Sequence, residues 1–290
     1  MGKLMIIADE GDKQYFATPR GLELAGKLGH SVEVVAFVHA PLARLKITVT
    51  EQTKIKRKLL AEREATVQAR IDKYVQPGQK VSLKTVWETD ISHWVTERCR
   101  KSDYEAVVKT GHRTESLVYT PTDWHLLREC PAPVLLVADR KWHKTKPVLA
   151  AVDLASRSPA KKQLNHKVIA NAKALATALD ADLKIITAIE IPTLLADMDL
   201  VDPRQYVAEA RESMEPAIEK LAAAHDLPVS LFRAKRGPAE KVITSEAASV
   251  KAQLVVMGTV GRRGVKAKLM GNTAESVLCH LRTDVLTLKP

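Results

Sequence analysis

One programme of residues runs twice through this chain, and that duplication limits its fold more than any other feature. Lys3-Leu4-Met5-Ile6-Ile7-Ala8-Asp9 is an apolar run closed by a carboxylate, and Pro147-Val148-Leu149-Ala150-Ala151-Val152-Asp153 repeats it. A helical pattern follows each. In the first half it carries Leu22, Leu24, Ala25 and Leu28 and stops at Gly29. In the second it carries Val168, Ile169, Ala172, Leu175, Ala176 and Leu179. Second apolar runs come at 32–38 and 183–189, and long helical stretches at 51–75 and 203–225. Leu60, Val67, Ile71 and Tyr74 share one face of the former, and Tyr206, Met214, Ile218 and Leu221 one face of the latter. Third runs open with Val81-Ser82-Leu83 and Val229-Ser230-Leu231. Fourth runs fall at 105–109 and 253–257, fifth at 134–137 and 285–288.

Strands that alternate with helices predict an α/β fold with parallel sheets covered on both faces, and right-handed crossovers leave few topologies. Duplication at this length means two similar domains, 1–140 and 147–290, joined by the charged stretch DRKWHKTK at 139–146.

The second half carries one stretch that the first lacks. Residues 254–273, LVVMGTVGRRGVKAKLMGNT, read as a buried strand, a basic loop rich in glycine and the start of a helix. Glycine lets backbone N–H groups approach an oxyanion without a Cβ in the way, and a helix N-terminus adds unpaired donors and a positive dipole end. The stretch is therefore a candidate for holding a phosphate chain, although a plain connection can also be rich in glycine. Its spacing is neither G-x-G-x-x-G nor G-x-x-x-x-G-K-[ST]. The first half offers Gly111 and then Val118-Tyr119-Thr120-Pro121 where the later glycine would stand. Pro121 removes a donor and Tyr119 adds volume. Thr122 reads as the N-cap of the next helix. The first half is thus expected not to hold a nucleotide.

The order Gly258-x-x-Gly261, nine residues, then Gly271 and a small polar residue resembles the ATP-binding signature of the universal stress protein family. Where that family usually has Ser or Thr, this chain has Asn272, with Thr273 one place later. The tandem halves, the stretch TPTDWHLLRECPAPVLLV at 120–137 and GNTAESVL at 271–278 are similar to its tandem E-type members. The resemblance implies two open five-stranded parallel sheets in order 3-2-1-4-5, a Rossmann-like or flavodoxin-like arrangement with helices on both faces. It further implies an intramolecular pseudo-dimer through the fifth strands. It also implies that Asp153 faces the nucleoside, that backbone near Ile189 meets the adenine edge, and that Gly258, Gly261, Gly271 and Asn272 contact phosphate. Arg262, Arg263, Lys266 and Lys268 are not signature positions. Their charge suits a triphosphate, and a solvated basic loop is the alternative reading.

The formal net charge of +11 favours anionic partners, yet the charge is dispersed and no nucleic-acid module is recognisable, so nucleic acid is not expected. Aromatics at 4% predict aliphatic cores. Cys99, Cys130 and Cys279 lack any C-x-x-C or ligand spacing, which reads as reduced thiols in the cytosol, without a metal site. No apolar run approaches membrane-spanning length, so a soluble cytoplasmic protein is expected. No histidine pairs with Ser or Cys in a nucleophile motif, and no catalytic residue is assigned.

Three functions stay open. The first is a stress-response module, more a binding protein than an enzyme, that holds ATP in domain two, with Mg²⁺ arriving on the nucleotide, and that could pair with a second copy. The second is a scaffold or carrier of an apolar, lipid-like ligand. The third is slow ATP hydrolysis or self-phosphorylation with the γ-phosphate near Thr259 or Thr273.

Overall fold

The computed structural model of the chain describes residues 2–11, 16–111, 120–138, 146–192, 201–259 and 271–290. The chain divides into two compact units, Met1–Arg140 and Lys141–Pro290.

Unit one runs β1 (Lys3–Ile7), α1 (Ala17–Leu28), β2 (Ser31–Val38), α2 (Val49–Tyr74), β3 (Val81–Trp87), α3 (Ile91–Lys101), β4 (Ala106–Thr110), α4 (Pro121–Glu129) and β5 (Val134–Val137). A 3₁₀ turn at Leu42–Arg44 precedes α2. Its strands lie in the order β3-β2-β1-β4-β5, all parallel. Unit two runs β6 (Val148–Ala151), α5 (Pro159–Ala178), β7 (Leu183–Ile189), α6 (Pro203–Ala224), β8 (Phe232–Arg236), α7 (Ala239–Ser249), β9 (Leu254–Gly258), α8 (Asn272–His280) and β10 (Asp284–Leu288). Its strands lie in the order β8-β7-β6-β9-β10, again all parallel. Counted within each unit, both orders are 3-2-1-4-5.

Burial explains why these runs become parallel strands. β4, β5, β6 and β10 are buried at every residue, as strands covered on both faces must be. The edge strand β3 instead begins in alternation, with Ser82 and Lys84 exposed. The cores are aliphatic, with Met5, Ile6, Leu22, Leu136, Leu149, Ile169 and Ile185 among the largest side chains that are wholly enclosed.

Helix ends are set by the same physics in both units. At the end of α1, Gly29 adopts a left-handed conformation (φ 67°). Its amide reaches Gly26 O and the His30 amide reaches Ala25 O, closing the orphan carbonyls of the last turn. Helices α5, α6 and α7 close with the same pair of bonds, but the left-handed residue is Asp180, Asp226 or Lys251. One predicted strand moves. Val229–Leu231 form a 3₁₀ turn, and the strand begins only at Phe232. Pro228 immediately before has no amide to give a ladder.

Candidate functional site

In an open parallel sheet the ligand crevice lies beyond the carboxyl ends of the strands, where the strand order reverses. In unit two β6 is flanked by β7 and β9, so the crevice collects residues that follow these three ends.

Asp153 stands two residues past β6, and its backbone is clamped by Asn165 on α5. The Asp153 amide donates to Asn165 Oδ1 (3.0 Å) and Asn165 Nδ2 donates to the Asp153 carbonyl (2.8 Å). Asn165 is buried, so the clamp is shielded from water. The carboxylate it positions is open, with its side chain 46% exposed. Asp153 Oδ1 accepts the Ser156 amide (3.2 Å) and Oδ2 pairs with Lys161 Nζ (2.8 Å). The arrangement offers a fixed acceptor with a partly exposed cation beside it. Asn165 escaped the sequence reading. Its signal was a polar residue beside Leu164, Val168 and Ile169 on an apolar helix face.

Ile189 ends β7, buried, and its carbonyl already accepts the Gly237 amide (3.0 Å), which leaves one lone pair for a ligand. Gly258 ends β9 where α5 comes very close: a Cβ there would lie 2.3 Å from Leu164 Cδ2. A side chain here would force Leu164 to shift, so helix packing favours this glycine whether or not a phosphate comes near. Next to it Thr259 is buried, with its amide (2.8 Å) and Oγ1 (3.2 Å) both donating to the Leu288 carbonyl. That hydroxyl is not presented as a phosphate acceptor. Gly261 and Arg262 lie outside the described residues, as do Arg263, Lys266 and Lys268. Gly271 is the N-cap of α8 with ordinary extended torsions, Asn272 is the first helical residue, and Thr273 is exposed.

The two units differ most at the start of their last helices. In unit one the N-cap of α4 is Thr120, not Thr122. Thr120 Oγ1 accepts the Asp123 amide (3.4 Å), and Asp123 Oδ2 accepts from Thr120 N (3.3 Å) and Oγ1 (2.8 Å). Pro121 has no donor to leave over. Asp123 is wholly buried and pairs with Lys109 Nζ on β4 (2.7 Å), which also donates to the Thr110 carbonyl (3.0 Å). This helix start is thus closed, since side chains already take the Thr120 and Asp123 amides. In unit two the matching positions are Gly271 for Thr120, Ala274 for Asp123 and Met257 for Lys109. Ala274 and Met257 are buried and apolar, the N-cap Gly271 has no side chain to cap α8, and Glu275 is the acid of its first turn. The helix dipole puts its positive end at this start.

The rest of the first crevice is also closed by its own groups. Asp9 is buried, and its carbonyl accepts Arg63 Nη2 (2.8 Å) and Arg70 Nη1 (2.9 Å) from α2. Thr110, where unit two has Gly258, accepts the Ala17 amide at the start of α1 (2.9 Å). Among the described residues no three His, Cys, Asp or Glu side chains gather to hold a metal ion. None of the described helices is long and apolar enough to cross a membrane.

The fold defines a tandem protein of two doubly wound α/β domains. More narrowly, the chain belongs to the universal stress protein family, whose model matches residues 144–289. It is similar to Universal stress protein E of Escherichia coli (strain K12), 28% identical over 295 residues that cover 99% of this chain and 93% of that one. The Universal stress protein E homolog of Haemophilus influenzae is 27% identical, covering 99% of this chain and 96% of its own length. In fold it is similar to a functionally unknown protein of Pseudomonas aeruginosa PAO1 (TM-score 0.73, 23% identity, 99% of this chain and 92% of that one). A universal stress protein from Archaeoglobus fulgidus DSM 4304 gives a TM-score of 0.65 at 17% identity, covering 99% of this chain and 98% of that one.

Proposed function

We propose that this chain is a cytoplasmic stress-response module that binds ATP or a related nucleotide in its second domain and acts as a regulatory binding protein rather than an enzyme. The observation that carries this reading is the contrast between the two helix starts: Asp123 closes α4, while α8 begins at Gly271, which has no capping side chain, with apolar Met257 and Ala274 in the places of Lys109 and Asp123. Phosphate oxygens would be held at the N-terminus of α8. Asp153, held by Asn165, would accept from the ribose, and the remaining lone pair of Ile189 O would serve the adenine edge. Any Mg²⁺ would arrive on the phosphates and keep much of its water. Cys99, Cys130 and Cys279 form no disulfide, which suits a reducing compartment.

Calorimetric titration of the full chain with ATP, with and without Mg²⁺, tests the proposal. One saturable site is expected. Asp153→Asn should weaken it roughly tenfold, the usual weight of a charge-assisted hydrogen bond. Gly271→Thr with Ala274→Asp, which transplants the closed helix start of domain one, should abolish it. Absence of binding by the unaltered chain, or full binding by the transplant, would overturn the assignment.

A further inference from the structure

The first domain carries a cavity that its nucleotide-type crevice does not account for. It lies at the carboxyl ends of β2 and β3 and measures about 400 Å³. Trp87, the last residue of β3, and His39, the first after β2, form one wall, their rings 5.2 Å apart and tilted by 52°. The opposite wall is one face of α2, since Val49, Gln52, Thr53 and Lys56 recur at helical spacing and all line the cavity. The 3₁₀ turn at Leu42–Arg44 closes the end and contributes Arg44.

Charge and exposure single the cavity out. Arg44 and Lys56 line it and no carboxylate does. Among the described residues neither cation has an acidic partner. Lys56 Nζ lies 5.3 Å from the centre of the Trp87 ring, which holds the ammonium at the mouth. The nearest acid in sequence, Glu51, is turned to its own helix start, where Oε2 accepts Thr48 N and Oγ1, each at 2.8 Å. Only three large apolar side chains are exposed among the described residues. Val49, 77% exposed, lines the cavity, and Leu45, 50% exposed, directly follows Arg44. An aromatic wall, an apolar rim and two unpaired cations within one recess match a single chemical type.

We infer that this cavity is a binding site for a small organic anion built on a flat ring, with the ring against Trp87 and His39 and its carboxylate or phosphate between Arg44 and Lys56. The site belongs to domain one and is separate from the nucleotide crevice proposed for domain two. Both cations stand on the surface, so replacing them leaves the fold intact.

Equilibrium dialysis of the full chain against 2-naphthoate, with neutral 2-naphthamide as its isostere, tests the inference. The expected result is one saturable naphthoate site, at least about tenfold weaker for the amide and for the Arg44→Gln/Lys56→Gln variant. Excess ATP should leave naphthoate binding unchanged, and so should Asp153→Asn. The inference fails if binding is not saturable, if the double variant binds as well as the unaltered chain, or if ATP displaces naphthoate. Displacement by ATP would assign the ligand to the nucleotide site, while failure of the double variant to weaken binding would leave the ATP proposal untouched.

Discussion

Lys109 and Asp123 form an ion pair with almost no solvent, the side chains 9% and 0% exposed. Such a pair contributes little net stability, yet breaking it strands a charge in the core. Lys109→Met alone is therefore expected to cost about 3–5 kcal/mol in urea denaturation. Lys109→Met with Asp123→Ala, the pair that unit two uses at Met257 and Ala274, should recover most of that loss. Glu33 on β2 is a second buried acid, reached by Lys3 (2.6 Å), Arg98 (3.0 Å) and the Tyr104 hydroxyl. Burial alone would raise its pKa, but hydrogen bonds from Lys3 and Tyr104 and the charges of Lys3 and Arg98 hold it below the usual carboxylate range. A lowered folded pKa gives stability that is present above the unfolded value, about 4.3, and lost as pH falls through the folded one. Tyr104 goes the other way. Burial and the bond to Glu33 push it up to about 12, so its contribution is present below about 10 and lost as pH rises through 12. Glu33→Gln should flatten both limbs of the stability profile between acid and alkaline unfolding.

Helix ends show what local sequence can and cannot announce. The stop of α1 at Gly29 is visible in advance because only glycine enters the left-handed region without cost. The stops of α5, α6 and α7 use Asp180, Asp226 and Lys251 in the same conformation, which a reader of sequence has no reason to choose. Lys251 has no short polar side chain to ease that conformation. Lys251→Gly should therefore stabilise the second unit by about 0.5–1 kcal/mol, seen as a higher urea midpoint with unchanged slope. The N-cap of α4 was misplaced by two residues for a related reason. Both Thr120 and Thr122 are acceptable caps, and the choice rests on Asp123 reaching back to Thr120, a pairing decided by Lys109 far upstream. Likewise Val229-Ser230-Leu231 looks as β-prone as Val81-Ser82-Leu83, but Pro228 delays the ladder.

At the scale of the whole chain, the duplicated set of parallel strands was legible because continuous apolar runs can be satisfied only by sheets covered on both faces, while their order came from the family resemblance. The placement of Asp153 and Gly258 at strand ends of the second unit was legible too. The parts that support them were not, since Asn165, Leu164 and Lys161 acquire meaning only when α5 is laid against β6 and β9. If nucleotide binds there, linkage predicts where stability rises. At a hundredfold excess over Kd the second unit should gain about 2.7 kcal/mol. Hydrogen exchange with ATP should slow amides at the ends of β6 and β9 and at the start of α8, and leave α4 and β4 unchanged.

The closed start of α4 has a consequence for how the two halves can diverge or reconverge. Its sealing carboxylate is also the counter-charge of a buried ammonium, so neither can be exchanged without stranding the other. The first half is therefore barred from regaining an open helix start by any one-residue step. Two compensating changes must arrive together, and until they do its helix start stays sealed.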